Sequence, residues 1–119
     1  LKRVRDAQRA GRAFMSVEAA VRKLTSDIAE FHRIDAGRLE AGARADVVVI
    51  DPEHLDDTVE EIHEEPMPEF TGLNRLVRRN DDAVRAVLVN GKVAWRGDSP
   101  SDDLGTSREY GRVLPLGSG

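Results

Sequence analysis

The sequence contains no cysteine, so disulfide bonds, thiolate metal ligands and thiol nucleophiles are all excluded. Aromatic residues make up only 4% of the chain, with one tryptophan and one tyrosine. No apolar stretch approaches the roughly 20 residues that cross a bilayer. The lack of disulfides and of a membrane span favours a cytoplasmic protein that makes no membrane contact.

The composition is that of a folded domain with a high content of charge. Of its 119 residues 39% are hydrophobic and 34% are charged, against about 25% charged in typical soluble domains. The net charge of -4 is unevenly distributed: residues 1–34 hold eight basic and four acidic side chains, and residues 35–65 hold two basic and eleven acidic ones. This length allows one core, and the overall acidity disfavours nucleic-acid binding.

Two amphipathic helical segments are predicted at the start of the chain. Apolar residues recur every three positions over residues 1–10, and Gly11 follows where a helix would end. Ser16 is suited to cap the next helix, whose apolar face consists of Val17, Ala20, Val21, Leu24, Ile28 and Phe31. The polar residues 25–27 interrupt that face, so we expect the helix to break and restart there.

The remainder of the chain predicts strands and turns. Residues 45–52 form a β-branched run stopped by Pro52, which predicts a buried strand that needs cover on both faces. Residues 83–96 predict a hairpin around Asn90-Gly91, a dipeptide that tolerates a type I′ turn. Apolar residues at helical spacing within residues 54–65 predict a short acidic surface helix, and the region after Gly97 reads as an extended tail.

No catalytic arrangement is evident in the sequence. His32, His54 and His63 have no metal-binding spacing, and we expect them in solvent or, for His32, near a helix end. Carboxylates recur at i, i+4 and are expected on a solvated face, since a calcium-loop glycine is missing; they are Asp56, Asp57, Glu60, Glu61, Glu64 and Glu65. Three arginines could clamp an anion but lack a glycine-rich cradle; they are Arg75, Arg78 and Arg79. No catalytic, cofactor-binding or metal-ligating residue is assigned.

Three stretches in order resemble the C-terminal end of the metal-dependent amidohydrolases. Residues 16–25 read SVEAAVRKLT, residues 37–51 read GRLEAGARADVVVID, and residues 87–93 read VLVNGKV. The resemblance covers most of residues 15–97. Within that superfamily, PMPEFTGL at residues 66–73 and YGRVL at residues 110–114 look most like the D-aminoacylase branch, the N-acyl-D-amino-acid deacylases.

The resemblance implies an α+β fold divided into three parts. Residues 1–34 would be the terminal helices of an otherwise missing (β/α) barrel. Residues 35–97 would supply strands of a small urease-like β-sandwich, with a short acidic helix and a hairpin, and residues 98–119 an extended tail. Since the family's sandwich uses strands from both ends of the full sequence, sheet edges here would lack partners. We therefore expect binding to the N-terminal barrel portion of the same protein, or self-association.

The resemblance also implies that this chain is a fragment and inactive alone. The parent enzyme would bind zinc through barrel residues upstream and hydrolyse N-acyl-D-amino acids or related amides. No catalytic or metal residue of the family maps onto this chain, and no cofactor is expected in it. Other amidohydrolase branches remain open, as do a free-standing β-sandwich binding module and an anion-binding adaptor that uses the three arginines.

Overall fold

The computed structural model describes residues 1–67, 70–78 and 80–115. Three short helices precede six strands, and the described elements mix helices with antiparallel sheets. The helices are α1 (Lys2–Arg9), α2 (Val17–Leu24) and α3 (Ser26–Phe31). The strands are β1 (Val47–Ile50), β2 (His63–Pro66), β3 (Asn74–Val77), β4 (Val84–Val89), β5 (Lys92–Arg96) and β6 (Ser99–Pro100).

The second helical segment begins and breaks where the sequence predicts. The Ser16 hydroxyl accepts a hydrogen bond from the Ala19 backbone N–H at 3.1 Å, which confirms the predicted N-cap. Helix α2 ends at Leu24, and α3 restarts at Ser26. At the junction the Thr25 hydroxyl donates to the Val21 carbonyl at 2.8 Å, so this side chain competes for a helix carbonyl as expected.

A four-stranded antiparallel sheet in the order β1-β4-β5-β6 is the largest assembled element. The predicted hairpin is confirmed as β4–β5, and both Asn90 (φ 53°) and Gly91 (φ 80°) have the positive φ of a type I′ turn. The Gly91 N–H donates to the Ala45 carbonyl at 2.8 Å, and the Asn90 N–H donates to the Asp46 carboxylate at 2.7 Å. The residues before β1 are thereby attached to the hairpin turn.

The predicted surface helix over residues 54–65 is wrong. Two 3-10 turns, Pro52–His54 and Asp57–Glu60, are followed by strand β2, which pairs with β3. The cause is local, because the Asp51 carboxylate accepts from the Glu53 N–H at 2.9 Å and the Asp56 carboxylate accepts from the Thr58 N–H at 3.0 Å. Each aspartate stabilises a tight turn in place of a continuing helix.

The region after Gly97 is not an extended tail over residues 98–110. Strand β6 pairs with β5, and the Ser101 hydroxyl donates to the Val93 carbonyl at 2.6 Å. Tyr110, at 8% exposure, is one of the few buried side chains. The segment therefore folds back on the sheet; residues 116–119 lie outside the described residues.

Little of the described chain is a core. The buried hydrophobic residues are mostly small, namely Val4, Ala20, Ala29, Ala83, Ala94 and Tyr110, and no large described side chain is fully buried. The prediction that residues 45–52 form a buried strand is wrong for this chain, since Val48 is 53% and Val49 46% exposed. The strand is present, but the described residues leave about half of the Val48 and Val49 side chains uncovered.

The overall dimensions agree with this lack of a core. The radius of gyration is 16.8 Å, against about 13.5 Å for a compact domain of this length. The accessible surface is 9141 Å², against about 6,400 Å² for a compact monomer of the same mass. The chain therefore exposes on the order of 2,700 Å² more surface than a self-contained domain would.

Candidate functional site

The structure keeps the three histidines in separate places. His32 follows α3 with its ring edge-on to Phe31, His54 lies in a 3-10 turn with Nδ1 3.1 Å from the Asp51 carboxylate, and His63 begins β2. Across residues 1–67, 70–78 and 80–115, no group of three or more metal-binding side chains is arranged to hold an ion. The zinc that the family resemblance implies does not fit the described residues of this chain.

The six carboxylates of residues 56–65 do not share one helix face. Asp56 caps a 3-10 turn, and hydrogen bonds from the Thr58 hydroxyl and backbone N–H lower its pKa. Asp57 lies 2.7 Å from the Lys2 ammonium, and Glu64 accepts a long hydrogen bond from Asn74 at 3.5 Å. The other members, Glu60, Glu61 and Glu65, follow in the second turn, the linker and β2. The predicted face of like charges is absent because residues 54–65 are not one helix.

The predicted arginine cluster is only partly described. Arg75 lies on β3 opposite Glu65, Arg78 follows β3, and Arg79 is outside the described residues. Arg78 stands at the rim of a groove of about 380 Å³ whose apolar lining includes Trp95 and Leu104. Arg78 therefore borders an apolar depression.

Helix α1 is attached to the turns after β1 by basic side chains. Lys2 lies 2.6 Å from Asp6 and 2.7 Å from Asp57, and both carboxylates raise its pKa, Asp57 the more strongly. Arg5 is only 8% exposed; its Nη1 donates to the Leu55 carbonyl at 3.4 Å. Its Nη2 lies 3.3 Å from the Glu53 carboxylate, without the alignment of a hydrogen bond. These contacts between the basic start and the acidic middle of the chain were missed from sequence, although their opposite charges were visible.

A second polar cluster, here called the C-terminal clasp, consists of Lys92, Asp103, Glu109 and Tyr110. The Lys92 ammonium lies 2.5 Å from the Asp103 carboxylate, 2.8 Å from that of Glu109 and 4.6 Å from the centre of the Tyr110 ring. The Tyr110 hydroxyl donates to Asp103. Hydrogen bonds from Lys92 and Tyr110 lower the pKa of Asp103, and those to Asp103 and Glu109 raise the pKa of Lys92. The clasp holds the returning segment on β5.

Two sets of exposed apolar side chains mark surfaces that need cover. The helix set lies on α2 and α3 and consists of Val21, Leu24, Ile28 and Phe31. The strand set lies on β1 and consists of Val48, Val49 and Ile50. Strand β1 is also an edge of its sheet, so its outer backbone groups face no other described strand. Such surfaces mark interaction sites in soluble proteins, and they are the candidate functional feature of this chain.

Comparison with known proteins gives the family. The family model described as "Amidohydrolase family" matches residues 5–95. Uncharacterized proteins of Mycobacterium bovis and of two strains of Mycobacterium tuberculosis are each 48% identical over 121 residues, covering 98% of this chain and 20% of the relative. The chain thus spans about a fifth of the length of the curated relatives it matches. No solved structure matches. Since the family match takes in the second half of α1, all of α2 and α3 and most of the four-stranded sheet, the chain belongs to the amidohydrolase family.

Proposed function

We propose that this chain is the non-catalytic C-terminal segment of a zinc-dependent amidohydrolase, in which it packs against the (β/α) barrel. The observation that carries the proposal is the exposed apolar surface of the helix set and the strand set. Each set belongs to an element whose sequence pattern calls for a buried face. The relatives' five-fold greater length supports a polypeptide large enough to cover both.

The amount of exposed surface supports a permanent contact. This chain exposes about 2,700 Å² more accessible surface than a compact monomer, and that figure counts only one side of a contact. Obligate interfaces bury about 2,000–5,000 Å² summed over both partners, so this excess matches one side of a large interface. The second β-sandwich sheet and the barrel would supply the other side. A transient contact of about 800 Å² per partner would leave most of this surface uncovered.

In this proposal the metal belongs to the rest of the enzyme. Residues outside this chain would hold the zinc, because the described residues offer no suitable ligand group. The whole enzyme would hydrolyse N-acyl-D-amino acids or related amides, and this segment would complete the sandwich. We place the enzyme in the cytoplasm, on the absence of cysteine; none of the described helices has the length and apolar character to cross a membrane.

The substrate class rests on the resemblance of two segments to D-aminoacylases. Of the first, Pro68 and Glu69 lie outside the described residues. The second has a packing explanation at Tyr110, which is buried in the clasp. In this proposal the two segments only identify the D-aminoacylase branch of the family, and neither of them contacts substrate.

The test is reconstitution of activity from separate parts. The 119-residue chain alone should not hydrolyse N-acetyl-D-amino acids, and the remaining portion of the hydrolase should gain zinc-dependent activity when this chain is added. Val48→Asp together with Val49→Asp should abolish the gain, since it places two charges on the strand set. Val113→Asp is the matched control, because Val113 is 90% exposed and belongs to neither set. Amide hydrolysis by the chain alone, or equal loss in the control, would contradict the proposal.

A further inference from the structure

The β2–β3 hairpin stands outside the four-stranded sheet. Strands β1 and β4 are direct neighbours in that sheet, so residues 51–83 leave it and return. The base of this excursion is attached, because the Asp51 N–H donates to the Ala83 carbonyl at 2.9 Å and the Asn80 side chain accepts from the Ala83 N–H at 2.8 Å. Strands β2 and β3 pack on each other and make no extended contact with another described element. The hairpin is an arm on a fixed base, and an isolated two-stranded hairpin is only marginally stable.

The arm exposes apolar side chains that lie apart from the helix set and the strand set. The exposed fractions are 54% for Ile62, 55% for Phe70, 57% for Leu73 and 70% for Leu76. At roughly 100 Å² for each of these four side chains, two such arms offer about 800 Å² of apolar surface. A standard interface of about 1,200–2,000 Å² is about 56–58% apolar and so needs roughly 700–1,100 Å². Two arms together carry enough apolar surface for the smaller interfaces of this class.

The two edges of the arm differ in their capacity to accept another strand. The Met67 N–H donates to the Leu73 carbonyl at 2.9 Å, so the alternation of an antiparallel pair makes Glu65–Arg75 the next hydrogen-bonded pair. The backbone groups of Leu76 then point to the open edge of β3. On the open edge of β2 the equivalent positions are Glu64 and Pro66. Proline has no N–H to donate, so a ladder on the β2 edge would be interrupted at Pro66, and β3 is the edge open to addition.

We propose that the β3 edge pairs with the same edge of a second copy of this protein, in an antiparallel, two-fold arrangement centred on Leu76. Each Leu76 then lies opposite its counterpart, with Arg75 opposite Val77 and Asn74 opposite Arg78. No like charges stand directly opposite, and the leucine pair occupies the centre. The register also brings together the outward-pointing backbone groups of Asn74, Leu76 and Arg78, giving a four-stranded sheet across the two copies.

The self-complementary pattern is the reason for choosing a second copy as the partner. Pairing two β2 edges about Glu64 would place that glutamate opposite its own counterpart, pairing about Glu65 would do the same, and either register would meet the missing N–H of Pro66. The β3 edge has neither obstacle. This pairing is separate from the proposed packing on the barrel, because it uses the arm and leaves the helix set and the strand set free.

A cysteine placed on the two-fold axis tests the arrangement directly. In an antiparallel pair, hydrogen-bonded residues have Cα atoms about 5.5 Å apart, within the 4.4–6.8 Å range of disulfides. In the whole hydrolase polypeptide, Leu76→Cys should give an intermolecular disulfide between two copies of position 76 on mild oxidation, identified by mass spectrometry. Leu39→Cys is the matched control, since Leu39 is 78% exposed and lies outside the arm; it should not cross-link.

Sedimentation of the same polypeptide gives the second measurement. Leu76→Lys places two ammonium groups face to face, and it should raise the dimer dissociation constant by about tenfold or more, while Leu39→Lys should not. A polypeptide that sediments as a monomer at every concentration would overturn the proposal. So would a dimer that Leu76→Lys leaves unchanged, or equal cross-linking at positions 76 and 39, because the contact would then lie elsewhere or be random.

Discussion

Replacement of Gly37 by alanine tests the packing of the loop after α3 on the junction between α2 and α3. A Cβ at this position would stand 2.8 Å from the Thr25 carbonyl carbon, 2.9 Å from the Thr25 oxygen and 3.0 Å from the Ser26 nitrogen. All three are backbone atoms, so no flexible side chain can move away. The φ of Gly37 is also +79°, a conformation that costs an alanine about 1–2 kcal/mol.

Gly42→Ala separates these two costs. Gly42 has a similar φ of +84°, but nothing lies within 4 Å of an added Cβ. Gly42→Ala should therefore cost only the backbone term of about 1–2 kcal/mol. Gly37→Ala should add a displacement term of about 1–3 kcal/mol, as overpacking does elsewhere in proteins. The difference between the variants measures the contact alone.

Hydrogen exchange in the whole hydrolase polypeptide, followed by mass spectrometry, is the suitable assay because it reports local opening. Each 1.4 kcal/mol changes an opening equilibrium tenfold. The displacement term therefore predicts that Gly37→Ala increases opening of residues 17–36 by a factor roughly 5–150 times larger than the factor by which Gly42→Ala increases opening of its own loop. Equal acceleration in the two variants would refute the close approach at Gly37. So would acceleration in Gly37→Ala that spares the α2–α3 junction.

Three further predictions concern the cap and the clasp. Ser16→Ala should destabilise α2 by about 1 kcal/mol, seen as faster exchange of its first turn, whereas Ser99→Ala, on β6, should have no such effect there. Lys92→Met should expose residues 101–110 to proteolysis, while Arg96→Met should not, because it is the Lys92 ammonium that lies against both Asp103 and Glu109; equal cleavage of the two would contradict the clasp. The pKa of Asp103 is lower in the folded state than its ordinary value of 3.8. Its contribution to the free energy of unfolding is therefore fully present above pH 3.8 and is lost as the pH falls through the lower pKa of the folded state. The Trp95 fluorescence of the unsubstituted whole polypeptide should therefore differ from that of its Asp103→Asn variant at neutral pH, and the two should become equal in acid.

Local signals in the sequence sufficed for elements that are fixed locally. Ser16 correctly predicted the start of α2, and Asn90-Gly91 correctly predicted the β4–β5 turn, because a cap or a turn depends only on residues that are close in the chain. The same reasoning failed at residues 54–65. Their apolar spacing suits a helix, but Asp51 and Asp56 capture nearby backbone N–H groups and fold the chain into turns.

Burial and long-range polar contacts could not be predicted from the hydrophobic pattern of the sequence alone. The β-branched run at Val47–Ile50 correctly predicted a strand, but its burial depends on cover that the described residues do not provide. The C-terminal clasp joins Lys92 to Glu109 across turns that no periodic pattern indicates. The pairing of Arg5 with Glu53 likewise joins distant segments. For Arg5 and Glu53, the sequence showed the opposite charges of residues 1–34 and 35–65 but not which side chains pair.

Side-chain footprinting with a carbene label measures most directly whether the rest of the hydrolase covers this segment. The 119-residue chain alone and the whole polypeptide would be labelled under identical conditions, and labelling compared at the helix set and the strand set. We predict strong labelling of Phe31 and Val48 in the isolated chain, where they are 82% and 53% exposed, and near-complete protection in the whole polypeptide. Equal labelling of both residues in the two samples would contradict the proposal that this segment packs against the remainder of an amidohydrolase.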